Sequence, residues 1–406
     1  MKNIPFSPPR FHPELIDEIS DTLKTGWITT GPKTKKFEQE LISYTGCKKV
    51  NALNSATAGM EIVLRWFGVG PGDEVIIPAY TYCATANVVM HLGAKPVMVD
   101  INKDDFNINV QNIRNAITKN TKVLVPVDIG GLPCDYKELN MLVRTDDVKH
   151  LFCPITEVQK KLGRILVMSD SAHSFGAEYE GARAGSLTDV SVFSFHAVKN
   201  LTTAEGGAIC WNLPDHFNCE EIYNYINTLI LHGQSKDALS KTKSGGWKYD
   251  VAEPGFKCNM TDVLACIGLV ELSHYEETLK RRKDIVEQYN KGFENETWSI
   301  IPEHITENKQ SSFHLYMLRI KGATEDQRDK IIEKISEKQV SVNVHFIPLP
   351  LLTAYHTIGY DINDYPETYS KYSNEISLPV YFDLSDEQVQ TVISAVKESV
   401  NSVINA

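Results

Sequence analysis

One lysine in an uncharged stretch carries the chemistry that this sequence most strongly suggests. Lys199 lies within 191–207, and the first acidic residue after it in that segment is Glu205. The alternation in 190–195 predicts a buried strand before the lysine, and the glycine pair 206–207 predicts a tight turn after it. Lost solvation at such a junction lowers the pKa of an ammonium group, and the free amine can then form a Schiff base with an aldehyde cofactor. An ordinary surface lysine remains the alternative.

An acidic residue at the end of a second predicted strand adds a partner for a cationic ring. Residues 165–170 form a short apolar run that ends abruptly in Asp170. Ligands of open parallel sheets bind in the crevice beyond the carboxyl ends of the strands. A carboxylate at that place can keep a pyridine nitrogen protonated, which turns the ring into an electron sink. The alternative is that Asp170 caps a helix opened by Ser171 and Ala172.

A third segment is suited to a phosphate group. The small residues Ser55, Ala56 and Thr57 open a predicted helix, whose first N–H groups and positive dipole end attract anions. Simple helix capping by Ser55 explains the same pattern. The glycine-rich run 68–73 is instead a predicted turn from helix to strand, because it precedes the strand 74–78 where a phosphate loop would follow one.

The elements that must position these residues alternate between helix and strand. This pattern predicts an α/β fold with a mainly parallel sheet covered by helices. After Met260 the pattern changes to a long predicted helix over 261–295. A small α+β domain follows. The predicted elements are helices at 13–24, 58–67, 86–92 and 325–338 and strands at 75–78, 97–100, 122–127, 315–320 and 340–345. We therefore expect a large domain over 1–260 and a small C-terminal domain over 261–406.

Composition excludes several classes of protein. The chain has 406 residues, 42% of them hydrophobic, and a net charge of −11 without a basic stripe, so we expect no nucleic-acid partner. No apolar run is long enough for a membrane span or a signal peptide. Eight scattered cysteines without ligand-like spacing predict reduced thiols, no metal site and a cytoplasmic location.

Ten segments, in order along almost the whole chain, resemble the DegT/DnrJ/EryC1/StrS family of pyridoxal-phosphate-dependent sugar aminotransferases. They are GWITTGP at 26–32, PGDEVIIP at 71–78, TYCATAN at 81–87, DSAH at 170–173, SFHAVKNLTT at 194–203, EGG at 205–207, MTD at 260–262, HLY at 314–316, VHFIP at 344–348 and SLP at 377–379. The resemblance implies a fold type I aminotransferase with a seven-stranded sheet in its large domain.

The resemblance also implies a role for each cofactor-site residue, with pyridoxal 5′-phosphate as the cofactor. Lys199 would hold the cofactor's aldehyde carbon and move the proton during transamination. Asp170 would hold the ring nitrogen, and His173 would lie beside the phenolic oxygen, although a lone histidine is commonly structural. Tyr82 would stack on the cofactor ring, although an aromatic residue at this position could instead belong to the hydrophobic core. The implied phosphate ligands are Ser55, Ala56, Thr57 and Ser194.

Further residues are implied for the substrate and for a second subunit. Thr30 and His345 would contact the substrate. Lys257 and Asn259, in the segment 255–260, would reach into the neighbouring subunit's site of a homodimer. That segment reads GFKCNM where the family commonly has GYNYRM, so which of the two side chains meets phosphate stays open.

The chain departs from the family pattern at other positions. Asp128 replaces a common histidine and Ser169 a common glutamate. An insertion at 143–159 predicts a surface helix or flap.

The implied reaction moves an amino group from L-glutamate to a keto group of a nucleotide-linked sugar, for bacterial surface sugars. The segment 247–251, followed by GFKCNM at 255–260, resembles the family members that aminate 4-keto sugars, so a 4-keto acceptor is favoured. A 3-keto sugar or a keto-cyclitol stays open. A pyridoxal-phosphate lyase or dehydratase and a non-catalytic regulatory protein are disfavoured, because Lys199, Asp170 and Ser194 are all present.

Overall fold

A seven-stranded sheet forms the centre of the computed structural model, which describes residues 3–235 and 249–404. The bounds of the first nine strands are β1 Lys49–Leu53, β2 Glu74–Pro78, β3 Lys95–Val99, β4 Thr121–Leu124, β5 Leu166–Asp170, β6 Glu178–Tyr179, β7 Ala182–Arg183, β8 Val190–Ser194 and β9 Gly207–Trp211. The strand order in the seven-stranded sheet is β1-β9-β8-β5-β4-β2-β3. The two short strands β6 and β7 form a hairpin outside this sheet.

The sheet is mainly parallel, as predicted. Strands β3, β2, β4, β5 and β8 run parallel, and β9 lies antiparallel between β8 and β1. Asp170 ends β5 and Ser194 ends β8, while Gly207 begins β9 and pairs with both Ser194 and Leu53. The ends of four strands therefore meet at one edge of the sheet.

Helices cover the sheet, and apolar residues at the interface are buried. The helix Ala56–Phe67 shows why such elements form where they do. Ser55 accepts a hydrogen bond from the N–H of Ala58, and Gly68 ends the helix at φ +81°, a conformation that favours glycine. The described helices of four or more residues are Glu14–Lys24, Pro32–Thr45, Ala56–Phe67, Cys83–His91, Val110–Ala116, Tyr136–Leu142, Asp146–Leu151, Glu157–Leu162, Cys219–Leu229, Asp262–Ser273, Tyr275–Phe293, Glu325–Glu337, Thr353–His356, Pro366–Tyr372 and Asp386–Ile404.

A small antiparallel sheet with its own core follows in the C-terminal third. Its strands are β10 Ser299–Ile300, β12 Tyr316–Ile320 and β13 Glu375–Leu378, in the order β10-β12-β13. The strand β11, Lys309–Gln310, instead pairs with β6. Apolar side chains of β12, β13 and the neighbouring helices are buried together. The division at residues 260 and 261 stays a prediction.

Two predicted elements are wrong in detail. The long helix over 261–295 is interrupted at His274, and the break buries Tyr275, whose hydroxyl donates to the carbonyl of Phe175 at 2.5 Å. The segment 340–345 is not a strand and forms only isolated bridges. After Asn343 pairs with Ser377, the next backbone N–H groups bond to side chains and not to a neighbouring strand.

Other expectations agree with the structure. The glycine-rich run 68–73 joins a helix to β2, as predicted. The insertion 143–159 contributes the helix Asp146–Leu151 and the start of Glu157–Leu162. None of the described helices combines the length and the apolar character that a bilayer span needs.

Candidate active site

A cavity of about 420 Å³ opens at the carboxyl edge of the large sheet. It is lined by side chains from several strand ends, from the start of a helix and from the C-terminal third of the chain. Nine of the residues predicted from the sequence line this cavity: Ser55, Ala56, Thr57, Tyr82, Asp170, His173, Ser194, Lys199 and His345.

Lys199 and Asp170 influence each other across this cavity. Burial lowers the pKa of Lys199 to about 8, and the negative charge of Asp170 opposes that shift. Burial raises the pKa of Asp170, while a hydrogen bond from Thr85 and the charge of Lys199 lower it. A nucleophilic amine and an acidic group therefore share one desolvated site.

Asp170 is held in place by two donors. Thr85 Oγ1 donates to one carboxylate oxygen at 2.8 Å, and the N–H of Ala172 donates to the other at 3.2 Å. Thr81 supports Thr85, with 2.9 Å between the two hydroxyl oxygens. No helix begins after Asp170, so the helix-cap alternative is wrong.

The start of the helix Ala56–Phe67 faces the cavity beside β9. A Cβ on Gly207 would lie 2.4 Å from the amide nitrogen of Ala56, so only glycine allows this close approach. Ser194 contributes a hydroxyl at the end of β8 and accepts a hydrogen bond from the N–H of His196 at 3.4 Å. The positive end of the helix dipole and the neighbouring hydroxyls are suited to binding an anion.

Two neutral histidines form part of the wall near Lys199. Burial and the charge of Lys199 lower the pKa of His173 well below its ordinary value. Its Nδ1 accepts a hydrogen bond from the N–H of Gly130 at 3.3 Å, and its ring centroid lies 4.4 Å from that of His314. Burial also lowers the pKa of His314 well below its ordinary value, with smaller contributions from His173 and Lys199. The Nδ1 of His314 lies 2.8 Å from Asn200 Oδ1.

Tyr82 and His345 also line this cavity. Tyr82 is 60% exposed, so the core alternative is wrong, and its ring lies 5.8 Å from that of Phe346. Burial and the charge of Lys199 lower the pKa of His345 to about 4, so its imidazole is neutral. Its Nδ1 lies 2.9 Å from Ser377 Oγ.

Three predicted site residues form a separate cluster. Lys257 Nζ donates to the side-chain oxygen of Asn259 at 2.6 Å, and Asn259 Nδ2 donates to Thr30 Oγ1 at 2.6 Å. Thr30 and Asn259 line a second cavity of about 480 Å³. Within one chain, therefore, these residues are not among those that line the cavity of Lys199.

Several site residues were not assigned from the sequence. Thr85 and His314 both stand in quoted segments, but only the fold shows that Thr85 bonds to a residue 85 positions away. A usable signal existed for Thr85, because it follows Tyr82 by three residues and a helical spacing of three places side chains on one face. Ser377 and Glu375, behind His345, had no such signal.

Comparison with known proteins gives this site a context. The model of the DegT/DnrJ/EryC1/StrS aminotransferase family matches residues 9–397. The Streptococcus pneumoniae protein Spr1654, assigned as a sugar aminotransferase, has 47% identity in its PMP form, with 99% of this chain and 100% of that chain covered and a TM-score of 0.95. Its PLP form gives a TM-score of 0.94 at 46% identity, with 99% of each chain covered.

Two further relatives are similar over their full length. The spore coat polysaccharide biosynthesis protein SpsC of Bacillus subtilis is 35% identical over 401 residues, which are 98% of this chain and 97% of that protein. The Helicobacter pylori aminotransferase PseC, involved in pseudoaminic acid biosynthesis, has a TM-score of 0.86 at 25% identity, covering 99% of this chain and 100% of that one.

The family, the fold type and the enzyme class expected from the sequence are therefore confirmed. The chain belongs to the DegT/DnrJ/EryC1/StrS aminotransferase family.

Proposed function

We propose that this aminotransferase moves the amino group of L-glutamate to the 4-keto group of a nucleotide-linked sugar. The observation that carries the proposal is the grouping of Lys199, Asp170 and the start of the helix Ala56–Phe67 around one cavity. An amine, an acid and an anion cradle are the three features that a phosphorylated pyridine aldehyde requires.

Pyridoxal 5′-phosphate is the cofactor of this aminotransferase. The pneumococcal relative has been solved in PLP and PMP forms. The residues present here fit that group, since the cradle beside Gly207 suits its phosphate and Asp170 is a buried acceptor for its ring nitrogen. When bound, the group supplies an aldehyde carbon and an electron-withdrawing ring.

The residues of the chain supply positioning and proton transfer. Lys199 would hold the cofactor's aldehyde carbon through its amine and would also be the base that moves the proton during transamination. Its pKa of about 8 keeps a useful fraction of free amine near neutral pH. Asp170, fixed by Thr85 and Ala172, would keep the ring nitrogen protonated. Tyr82 would stack on the cofactor ring, and His173 would lie beside its phenolic oxygen.

The sugar acceptor is the finer part of the proposal. The relation to SpsC, a polysaccharide biosynthesis protein, supports a role in surface amino-sugar synthesis. The segment 247–251 is the part of the sequence that supports a 4-keto acceptor. Its first two residues, Trp247 and Lys248, lie outside the described residues. His345 and Thr30 are the proposed substrate contacts.

A homodimer completes the proposed site. Lys257 and Asn259 form a hydrogen-bonded cluster with Thr30 away from the cavity of Lys199, which suits a contribution to a second subunit. We place the enzyme in the cytoplasm, in agreement with its eight free cysteines.

A panel of nucleotide ketosugars tests the acceptor. Purified enzyme loaded with pyridoxal phosphate is incubated with L-glutamate and either 4-keto or 3-keto sugars linked to UDP, dTDP or GDP, or with a keto-cyclitol, and 2-oxoglutarate is measured. We expect turnover with a 4-keto sugar and none with the Lys199→Arg variant. Turnover confined to a 3-keto sugar or to a cyclitol would overturn the 4-keto assignment, and water loss without 2-oxoglutarate would overturn transamination.

A further inference from the structure

Behind His345, a serine and a buried glutamate form a hydrogen-bonded relay that ends in the active-site cavity. Ser377 Oγ lies 2.9 Å from His345 Nδ1 and 2.5 Å from Glu375 Oε1. The second carboxylate oxygen, Glu375 Oε2, accepts the backbone N–H of His345 at 3.0 Å. Since Nδ1 is held by the serine, Nε2 is the ring atom left to bond a molecule in the cavity.

Glu375 is completely buried, and burial raises its pKa to about 8. The charged and titratable groups around it come from three other elements. Arg328, on the helix Glu325–Glu337, favours the ionised form of Glu375. Arg319, on β12, is the register partner of Glu375. Tyr80 follows β2, and its hydroxyl donates to the carbonyl of His345. Burial of the carboxylate raises the pKa of Glu375 more than the hydrogen bonds from Ser377 and the backbone of His345, together with the charge of Arg328, lower it.

The direction of each hydrogen bond in the relay depends on one proton. When Glu375 is protonated on Oε1, it donates to Ser377, which donates to His345 Nδ1, so the imidazole carries its proton on Nε2. When Glu375 is ionised, Ser377 donates to the carboxylate and accepts from Nδ1–H, so Nε2 becomes an acceptor. His345 is neutral in both states, because burial and the charge of Lys199 lower its pKa to about 4.

We propose that Glu375 is a positioning residue that sets, through Ser377, the tautomer of His345 and so makes Nε2 a hydrogen-bond donor to an oxygen of the sugar substrate. The substrate part rests on the proposed function. At neutral pH the protonated relay presents Nε2–H to a keto or phosphate oxygen. In alkaline solution the direction of the hydrogen bonds in the relay reverses. The lone pair of Nε2 then faces the substrate oxygen and repels it.

The relay provides its own test variant. In Glu375→Gln, the backbone N–H of His345 requires the amide oxygen at the Oε2 position, so the amide NH₂ must face Ser377. Glutamine therefore imitates the protonated acid and fixes the Nε2–H tautomer at every pH. Glu398→Gln, on the exposed surface of the last helix, is the matched control.

Nitrogen NMR of the enzyme with ¹⁵N-labelled histidine reads the tautomer without any turnover. The His345 signals are assigned by their loss in His345→Asn. We expect the protonated nitrogen of wild-type His345 to change from Nε2 to Nδ1 between about pH 6.5 and about pH 9.5, and to stay at Nε2 in Glu375→Gln. A wild-type tautomer that is the same at both pH values would overturn the proposal, and this measurement stands even if the glutamine variant does not fold.

Kinetics with the accepted ketosugar test the consequence for the substrate. For the wild type and Glu398→Gln, we expect the KM for the sugar to rise about tenfold over that pH range, with a smaller change in kcat. In Glu375→Gln the rise should disappear. If the KM for the sugar rises equally in the wild type and in Glu375→Gln, the proposed role of Glu375 in substrate binding is wrong. If no sugar in the panel is aminated, the proposed function fails, while the NMR titration still decides the relay.

Discussion

At the scale of single residues, the reactivity of Lys199 is set by two opposing effects. Burial lowers the pKa of its amine to about 8, and the charge of Asp170 raises it. Burial is the larger effect, so the amine is far more available at neutral pH than that of a surface lysine. The same acid that limits this shift is the proposed partner of the cofactor ring.

Removing the charge of Asp170 should make Lys199 still more acidic. In cofactor-free Asp170→Asn, we expect the midpoint for acylation of Lys199 by acetic anhydride to fall by roughly one pH unit, because the ammonium form loses its counter-charge. Mass spectrometry of the Lys199 peptide over a pH series gives this midpoint. Turnover of the loaded variant should fall roughly a hundredfold or more. An unchanged midpoint, matching the surface control Asp383→Asn, would show that the two groups do not interact.

What the sequence could reveal at this scale depended on distance along the chain. Lys199 and Asp170 were predictable because each ends or follows a strand, and parallel strands bring such ends together. The hydrogen bond from Thr85 to Asp170 joins residues 85 positions apart, and the two bonds that tie His345 to Glu375 and Ser377 span 30 and 32 positions. Without the packed fold, nothing in the local pattern distinguishes these side chains from ordinary polar residues.

At the scale of elements, the proposed phosphate site depends on how closely β9 approaches the start of the helix Ala56–Phe67. Gly207 pairs with Leu53 in β1 and with Ser194 in β8. A side chain at this position would meet backbone atoms of Ser55 and Ala56 that cannot move without displacing the helix. The proposed phosphate site is therefore a property of two elements together.

Gly207→Ala should weaken cofactor binding. The added Cβ would lie 2.4 Å from the Ala56 nitrogen, so the helix must shift and its N–H groups lose their aim at the phosphate. We expect the Kd for pyridoxal phosphate, measured by absorbance titration of the cofactor-free protein, to rise about tenfold or more. The control is Gly70→Ala, where a Cβ meets no atom within 4 Å. If the two variants bind pyridoxal phosphate with equal affinity, the close approach of Gly207 to the helix start does not contribute to phosphate binding.

Helix and strand patterns located most elements but not their interruptions. The apolar pattern over 261–295 continues through His274, where the structure breaks the helix so that Tyr275 can bond to Phe175. The alternation in 340–345 is typical of a strand, yet the N–H of His345 bonds to the side chain of Glu375. In both places a tertiary contact outweighs the local pattern.

At the scale of the whole molecule, the proposed active site needs residues from two chains. Lys257, Asn259 and Thr30 lie together and apart from the cavity that holds Lys199. If they act on a partner's cofactor or substrate, then each site combines the lysine of one chain with the amide of the other.

Mixing two inactive variants tests this arrangement. Lys199→Ala and Asn259→Ala should each be inactive or nearly so as homodimers. After unfolding and joint refolding in equal amounts, mixed dimers contain one intact site, so about a quarter of the wild-type activity should return. The control is a mixture prepared without subunit exchange. Absence of recovery, despite mixed dimers shown by native mass spectrometry, would place Asn259 in the site of its own chain.

The proposed reaction depends on the amine of Lys199 holding the cofactor. Borohydride reduction of the loaded enzyme, followed by peptide mapping, shows which lysine carries it. We expect the reduced pyridoxyl adduct on Lys199 and no adduct in Lys199→Arg, because arginine keeps the charge but lacks a primary amine. An adduct on another lysine, or cofactor that borohydride fails to fix in the wild type, would show that Lys199 is not the residue that holds the cofactor.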